Sequence, residues 1–446
     1  METHGRIDLR LFVVAVACVL LAQALLIFNP GYYSHDELQW AFFATQAKGG
    51  FFGNGLWGDF QAFQYRPLTF SLWMVLSRRL FEHPYAFHAV MVTWGAINAG
   101  MVTALLHRYG AKPLVSLLGA LVFALGPYAA YTHGWVGTIA DLAWLSCALA
   151  VALGVREDTK PAIILAATFL LTSMALLAKE SAIVMPGLLA LAWWFSGRKR
   201  HWALACLASI VPVAIYLAFR VKAILFATET TGAIYQWSFL SIPTRWLEYQ
   251  LFPVLTSRFG ANDFLEKAVG RRMAIAAAIA WLLLAWSLWR AGGRWLAAFL
   301  LGGVVALGPV LLLAGAANQY GYAFAAVTAG VVALAWSDMA RPAQIIVGVI
   351  AMLCLWHGAN ITLGMHDAGV RQAHFSPALA RAVASASHVV RLRPQSEDDR
   401  WTYLRLTHDV PSYRGVAIGG RARLVEAGEP ADFIIDRRGE LVPDAP

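Results

Sequence analysis

Two neighbouring acidic residues, Asp36 and Glu37, stand directly after the first long apolar run of the chain, within the segment GYYSHDELQW. Successive positions on a helix point in different directions, so we expect the two carboxylates to have separate tasks, one at a substrate and one at a structural or cationic partner. A carboxylate in a partly dry cleft can take the proton of a hydroxyl group that attacks a sugar carbon. This chemistry predicts Asp36 and Glu37 as catalytic residues.

The acidic pair also allows two other interpretations. Ser34 could cap a helix whose first turn contains Asp36 and Glu37, where negative charge is favourable. His35 could instead join the two carboxylates as ligands of a divalent cation, because imidazole and carboxylate groups suit several metals. The spacing matches no specific metal signature, so a divalent metal cofactor stays an open alternative.

An arginine in the segment Tyr65-Arg66-Pro67-Leu68 is a candidate phosphate ligand. The planar guanidinium group matches the geometry of a phosphate, and Pro67 restricts the backbone beside it. The alternative for Arg66 is ordinary anchoring at lipid headgroups, with the charged end in water.

Three further charged residues interrupt apolar sequence. Asp141 follows Thr138 at the start of one apolar run, and Lys179 and Glu180 divide the apolar stretch 161–195. Ionisable residues at such positions are usually paired or functional. The alternatives are a tight external hairpin with a solvated Lys179–Glu180 ion pair, and an Asp141 satisfied by nearby polar groups.

The composition places these residues in a membrane protein. Hydrophobic residues make up 59% of the 446 residues and charged residues only 14%. Apolar runs near the length of ~20 residues that a helix needs to cross hydrocarbon predict an all-α polytopic protein with about eleven transmembrane helices. The runs are 11–28, 84–107, 113–131, 138–155, 161–178, 181–195, 202–226, 273–289, 295–316, 321–336 and 343–363.

Basic residues set the predicted topology. The net charge of +9 is scattered over short connections, which argues against a nucleic-acid partner and for a positive cytoplasmic side. Arg6 and Arg10 precede the first run, and Lys or Arg recurs in every second connection. We therefore expect a cytoplasmic N-terminus, an extracytoplasmic C-terminus, and external loops at 29–83 and 227–272. The short apolar segment 70–81 suits an interfacial helix better than a crossing.

In this topology the unusual polar residues reach one face. That set is Asp36, Arg66, Asp141, Lys179, Glu180 and Tyr320. The sequence has no glycine-rich phosphate loop and no soluble nucleotide-binding domain, so a nucleotide-sugar donor has no obvious site. An isoprenoid-phosphate sugar could instead reach this face sideways from the bilayer.

The order of these motifs resembles the GT-C superfamily of membrane glycosyltransferases, especially the protein O-mannosyltransferase-like branch and the transmembrane tetratricopeptide mannosyltransferases. The similar motifs cover about residues 30–200 and are individually unspecific. They are Asp36-Glu37, Arg66-Pro67-Leu68, Phe87-His88, Gly126-Pro127 followed by Asp141-Leu142, and Lys179-Glu180. The chain departs from the family in lacking tetratricopeptide repeats, in Thr138 where an arginine is common, and in Asn318-Gln319 before Tyr320.

The resemblance implies a polyprenyl-phosphate sugar donor, inversion at the sugar carbon, and a protein, lipid or glycan acceptor. It implies Asp36 as the base or as a nearby residue that positions the acceptor, and it implies that Glu37, Arg66 and Lys179 contribute to acceptor or phosphate binding. The full set of candidate substrate-binding residues is His35, Arg66, His88, Asp141, Lys179, Glu180 and Tyr320. The expected setting is a bacterial inner membrane, with membrane lipids as further partners.

The C-terminal region 365–446 changes to a charged composition. Its pattern predicts an amphipathic helix at 376–389 and short strands at 401–407, 414–418, 422–426 and 432–435. About 80 residues suffice for a small external α/β domain.

Two other classes of protein remain compatible with the sequence. A lipid or solute transporter or flippase would place its charges along a pathway, and such proteins often show internal repeats and broken helices, which the sequence does not show. A non-catalytic membrane protein of envelope assembly is the other alternative.

Overall fold

A computed structural model describes residues 8–60, 62, 64–226, 236–255, 271–397 and 400–444. The predicted external loop 227–272 lies only in part within these ranges, and Arg6 lies outside them.

Helices dominate the described residues. They are α1 (Leu9–Ala22), α2 (Ala24–Ile27), α3 (His35–Gln46), α4 (Pro67–Leu80), α5 (Pro84–Arg108), α6 (Pro113–Leu125), α7 (Pro127–Gly134), α8 (Ile139–Gly154), α9 (Pro161–Ala178), α10 (Met185–Phe195), α11 (Arg200–Phe226), α12 (Ile242–Leu251), α13 (Arg271–Ala291), α14 (Gly293–Leu307), α15 (Tyr322–Ala335), α16 (Arg341–Ser385) and α17 (Arg400–His408). Short 3-10 helices lie at Val136–Thr138, Glu180–Val184, Phe239–Ser241, Phe252–Val254, Gly308–Leu312, Asn318–Gly321 and Trp336–Asp338.

Within the described part of the chain, eight helices are long and apolar enough to cross a membrane, and the bent pair α6–α7 makes a ninth. Two of the eleven predicted runs fall on shorter apolar helices of 10–17 residues, α1 and Glu180–Phe195. The predicted fold class, a helical multi-pass membrane protein with a small C-terminal α/β region, is confirmed.

The bend of 57° between α6 and α7 has a local cause. Pro127 opens α7, where a missing N–H costs nothing, and Gly126 before it is extended. Helix α16 crosses this bend closely, since a Cβ atom on Gly358 would lie 1.8 Å from the carbonyl oxygen of Leu125. The absence of a side chain at position 358 therefore lets the last spanning helix pack against the bend.

The segment between α2 and α5 carries two helices that pack together, α3 and α4. Trp40 of α3 stacks on Trp73 of α4, with ring centroids 4.9 Å apart. Helix α4 has 14 residues and is not among the candidate spans, in agreement with the prediction that 70–81 does not cross the membrane.

The basic connections lie at the opposite end of the helices from the segment 29–83. Helix α5 leaves that segment at Pro84 and runs 25 residues to Arg108. There the Arg108 guanidinium donates hydrogen bonds to the carbonyl oxygens of Leu153, at 2.7 Å, and Val155, at 2.8 Å. The connection after α5 therefore lies beside the connection after α8, as the charge pattern predicts.

Helix α16 is one continuous helix of 45 residues, Arg341–Ser385, across the predicted boundary at 364. At ~1.5 Å per residue it is about 68 Å long, more than twice the thickness of a hydrocarbon core of about 30 Å. Its second half contacts the segment 29–83, where Gln372 Oε1 accepts a hydrogen bond from the Tyr32 N–H at 2.8 Å. The predicted amphipathic helix 376–389 is thus mostly the end of α16.

A small sheet follows α16. Its strands are β1 (Val390–Pro394), β4 (Ala422–Leu424), β5 (Phe433–Ile435) and β6 (Leu441–Pro443), while β2 (Ser412–Tyr413) and β3 (Val416–Ala417) form a separate hairpin. The order is β4-β1-β5-β6, with β1 parallel to β4 and β5 and with β6 antiparallel to β5. Helix α17 and the hairpin lie in the connection from β1 to β4.

The strand predicted at 401–407 is wrong, because this segment forms α17. Its buried residues Tyr403, Leu406 and Thr407 follow the i, i+3, i+4 spacing of a helix rather than the alternation of a strand. The predicted strands 414–418, 422–426 and 432–435 contain β3, β4 and β5, whereas β1 was not predicted.

Candidate functional site

Helix α3 starts with a capping box. The Ser34 hydroxyl accepts a hydrogen bond from the Asp36 N–H at 3.3 Å, and Glu37 Oε2 accepts one from the Ser34 N–H at 3.2 Å. These contacts satisfy N–H groups that have no partner within the helix. The capping interpretation of this segment is therefore confirmed.

Glu37 is turned into the protein, with only 1% of its surface exposed. Its Oε1 accepts a hydrogen bond from the Val136 N–H at 3.3 Å, which joins α3 to the start of the helical segment Val136–Gly154. Burial, together with the negative charge of Asp36, raises the pKa of Glu37 well above the usual range of a carboxyl group. This placement gives Glu37 a structural contact inside the protein.

Asp36 points the other way, and 28% of its side chain is exposed. The Ser34 hydroxyl donates a hydrogen bond to its Oδ2 at 3.2 Å, and its Oδ1 lies 3.0 Å from His35 Nε2. Asp36 is therefore the more exposed member of the acidic pair.

No three His, Cys, Asp or Glu side chains in the described ranges are grouped to hold a metal ion. His35, Asp36 and Glu37 are not among such groups, and both Glu37 oxygens already accept backbone hydrogen bonds, from the N–H groups of Val136 and Ser34. The geometry gives that alternative no support.

A second set of charged residues lies where α8, α9 and the α3–α4 segment meet. Lys179 Nζ donates to the Asp141 carboxylate at 2.5 and 2.6 Å, and both side chains are buried. The same ammonium group lies 4.7 Å from the centroid of the Tyr320 ring, within cation–π distance. The alternative of a solvated Lys179–Glu180 pair is wrong, because Lys179 pairs with Asp141.

Glu180 pairs with Arg66 instead. Arg66 Nε donates to Glu180 Oε2 at 2.7 Å, and its second nitrogen contacts Oε1, so the pair is two-pronged. The Thr69 hydroxyl donates to the Ala178 carbonyl at 2.8 Å, which fixes α4 against the end of α9. One third of the Glu180 side chain is exposed, 33%, so this pair borders solvent.

The structure thus brings Arg66, Asp141, Lys179, Glu180 and Tyr320 together. The start of α3, which carries Asp36 and Glu37, contacts the chain segment that leads into this charged group. The contact is the hydrogen bond from the Val136 N–H to Glu37, and Val136 lies shortly before Asp141 on the chain. His88 belongs to neither group. It is fully buried, and its Nε2 lies 2.8 Å from the Gly31 carbonyl oxygen, so it supports the loop before α3.

Arg220 is a buried cation that sequence reasoning missed. It is 1% exposed, its guanidinium lies 5.5 Å from the centroid of the Tyr65 ring, and it donates to the Phe60 carbonyl. The signal was available, because Arg220 interrupts the apolar run 202–226.

A further ion pair with both side chains buried, Arg245–Glu248, also escaped prediction. The Arg245 guanidinium donates to the Ala314 carbonyl at 2.8 Å, which joins α12 to the segment before Asn318. The spacing of three residues on a helix was the available signal.

The C-terminal region adds two charged residues at His35. Arg405 of α17 forms an ion pair with Asp409, which directly follows that helix. The Arg405 guanidinium contacts His35 Nε2, and Asp409 Oδ2 lies 3.8 Å from the same atom. Because 401–407 was predicted as a strand, sequence reasoning could not place these side chains.

No protein-family model and no curated protein sequence matches this chain. Among solved structures, the chain is similar to the arabinofuranosyltransferase AftD from Mycobacteria, a single-particle cryo-EM structure, with 15% identity and a TM-score of 0.48. The similarity covers 89% of this chain and 30% of the AftD chain, so this chain spans less than a third of that protein.

Proposed function

We propose that this multi-pass membrane protein is a glycosyltransferase of the GT-C type. It moves a sugar, with inversion, from a polyprenyl-phosphate donor to an acceptor hydroxyl at the extracytoplasmic face. One observation carries the proposal: a partly exposed carboxylate, Asp36, and two cations, Arg66 and Lys179, lie at the same end of the helix bundle. These are the parts that a transfer from a lipid phosphate needs.

Asp36 is the base in this proposal. As the acceptor oxygen attacks the anomeric carbon, its proton passes to the Asp36 carboxylate, and the carbon–oxygen bond to the phosphate breaks. The electron pair of that bond leaves with the polyprenyl phosphate. Asp36 fits this role because its carboxylate is accessible, while a serine hydroxyl and the helix start hold it in one orientation.

The donor phosphate belongs next to Arg66. Four charged side chains form this group, and their two positive and two negative charges cancel. Glu180 is the most exposed of the four, so an arriving phosphate meets the Arg66 guanidinium by competing with Glu180. Arginine binds phosphate in the same two-pronged manner as carboxylate. Lys179 stays paired with Asp141 behind this contact and supports the group from the buried side.

The orientation follows from the basic connections. Arg108, Arg156 and Arg294 lie at helix ends or in connections at the end opposite to α3 and α4, and connections with such basic residues are retained in the cytoplasm. The candidate site then faces the extracytoplasmic side, which is where a polyprenyl-linked sugar serves as a donor in a bacterial inner membrane.

The test uses the full chain in nanodiscs with a panel of polyprenyl-phosphate sugars, both pentoses and hexoses, and membrane extract as the source of acceptor. Released polyprenyl phosphate is measured. Asp36→Asn should lower the release by ~10²-fold or more, since it keeps the shape and removes the base. Glu82→Gln is the matched control, an exposed carboxylate of the same segment.

Release at the wild-type rate by Asp36→Asn would remove Asp36 as the base. Movement of a labelled lipid-linked sugar across proteoliposomes without any release would favour the transporter or flippase class. If the protein showed no transfer and no movement of the lipid-linked sugar, the result would favour the envelope-assembly class.

A further inference from the structure

Helix α17 of the C-terminal region lies directly on the start of α3. The side-chain amide of Gln39 donates to the Asp409 carbonyl at 3.2 Å, and Arg405 pairs with Asp409 one turn away. This pair orients the Arg405 guanidinium toward His35, whose Nε2 it contacts. A second contact between the domain and the same segment lies at the surface, where the Arg414 guanidinium binds Glu82 at 2.7 Å and both side chains are more than half exposed.

The contact with Arg405 determines which nitrogen of His35 carries hydrogen. Arginine is always protonated in proteins and has only donors, so Nε2 must accept. A neutral imidazole has one N–H group, which must then be on Nδ1.

The other side of the ring leads to the same tautomer. The Ser34 hydroxyl has one hydrogen. It donates this hydrogen to Asp36 Oδ2 at 3.2 Å, because an ionised carboxylate can only accept. The Ser34 oxygen lies 3.1 Å from His35 Nδ1 and can bind it only as an acceptor. Nδ1 is therefore the donor, and a continuous chain of hydrogen bonds runs from Arg405 through His35 and Ser34 to Asp36.

We propose that Arg405, from the C-terminal domain, is a positioning residue of the transfer site. It fixes the Nδ1–H tautomer of His35, so that Asp36 receives the Ser34 hydrogen bond on Oδ2 and no hydrogen bond from His35 on Oδ1. Oδ1 is then the oxygen that takes the proton. This inference rests on the proposed function. The C-terminal domain thereby contributes a positioning residue to the site.

The loss of Arg405 reverses the tautomer. Nε2, now protonated, donates to Asp36 Oδ1 across the 3.0 Å that separates them. A hydrogen bond to the ionised carboxylate favours the ionised form and weakens the base. Turnover falls, while KM stays unchanged, because Arg405 contacts His35 and Asp409 and not the Arg66–Glu180 pair proposed for the donor phosphate.

The experiment compares Arg405→Met, Arg405→Lys and wild type. The first measurement is the ¹⁵N NMR spectrum of the histidine-labelled full chain in nanodiscs at pH 8, with His35 assigned from His35→Asn. Wild type and Arg405→Lys should show protonated Nδ1, and Arg405→Met protonated Nε2. The second measurement is polyprenyl phosphate release. Arg405→Met should lower kcat by about 10-fold with an unchanged KM, less than the ~10²–10⁴-fold that a general base supplies.

Arg414→Met is the matched control. It also removes one positive charge from the C-terminal domain and one contact of that domain with the segment 29–83, but Arg414 binds Glu82 and not His35. It should leave the tautomer and kcat unchanged. A wild-type His35 protonated on Nε2, or an equal loss of kcat in Arg405→Met and Arg414→Met, would overturn the inference. The NMR result stands even where the proposed function fails, and a fully active Asp36→Asn would reject that function separately.

Discussion

Lys179 Nζ lies 2.5 and 2.6 Å from the two carboxylate oxygens of Asp141, so one buried cation meets both oxygens of one buried acid. Asp141 is in the first turn of α8 and Lys179 directly follows α9. The pair therefore closes the same end of two neighbouring spanning helices. The Tyr320 ring covers the ammonium group from the side of α15. A buried pair of this kind keeps two helix ends in register.

Breaking this pair should destabilise the protein strongly. Lys179→Met leaves an ionised or forcibly protonated Asp141 in a dry site, which costs about 3–5 kcal/mol in comparable pairs. The double variant Lys179→Met/Asp141→Leu should recover most of that loss, because no buried charge is left. Thermal unfolding in nanodiscs measures both. Lys199→Met, which breaks an exposed pair with Glu157, should unfold like wild type. A double variant as unstable as the single one would contradict the argument.

Position 358 gives a test of the packing at the α6–α7 bend. Gly358→Ala places a Cβ atom 1.8 Å from the Leu125 carbonyl oxygen, so α16 or the bend must move apart. Gly348→Ala is the control on the same helix, where an added Cβ meets nothing within 4 Å. We expect a lower unfolding temperature for Gly358→Ala and an unchanged or slightly higher one for Gly348→Ala, because alanine favours the helix by about 0.5–1 kcal/mol. Equal unfolding temperatures would argue against the close crossing.

The sequence was sufficient for the features that depend on length and charge. Apolar length identified the eight long spanning helices and the bent pair α6–α7, although two of the eleven predicted runs are shorter helices. The alternation of basic connections predicted Asp36, Arg66 and Lys179 at one end. A charged side chain that is buried in the membrane without a partner costs free energy, so the sequence indicated that Asp141 and Lys179 are paired or functional.

The pairing of those charges could not be predicted. Lys179 is next to Glu180 on the chain yet binds Asp141, because the change from α9 to the following 3-10 helix turns the two side chains apart. Contacts between distant segments, such as Arg405 with His35, depend on packing that sequence periodicity does not contain. The strand predicted at 401–407 illustrates this. Trp401 and Tyr403 alternate along the chain as in a strand, whereas the residues that are buried in the structure have the spacing of a helix.

Glu37 should make stability depend on pH. Its folded-state pKa is raised by burial and by Asp36, so folding favours the protonated acid. The stability that the neutral form contributes is complete below the unfolded pKa of about 4.3 and is lost as pH rises toward the folded pKa. Glu37→Gln stays neutral, so its unfolding temperature relative to wild type should increase from pH 4.5 upward. A difference that is constant with pH would show that Glu37 is not buried in this way.

Arg66 should be sensitive to the shape of its side chain as well as to its charge. Arg66→Lys keeps one positive charge but loses the two-pronged contact that Nε and the terminal nitrogen make with Glu180. If the donor phosphate competes for the same two donors, kcat/KM for polyprenyl phosphate release should fall by ~10-fold or more, the cost of one or two charge-assisted hydrogen bonds. Arg79→Lys is the control, an exposed arginine on the same helix, α4. Its kcat/KM should equal that of wild type, and an Arg66→Lys enzyme as active as this control would place the phosphate elsewhere.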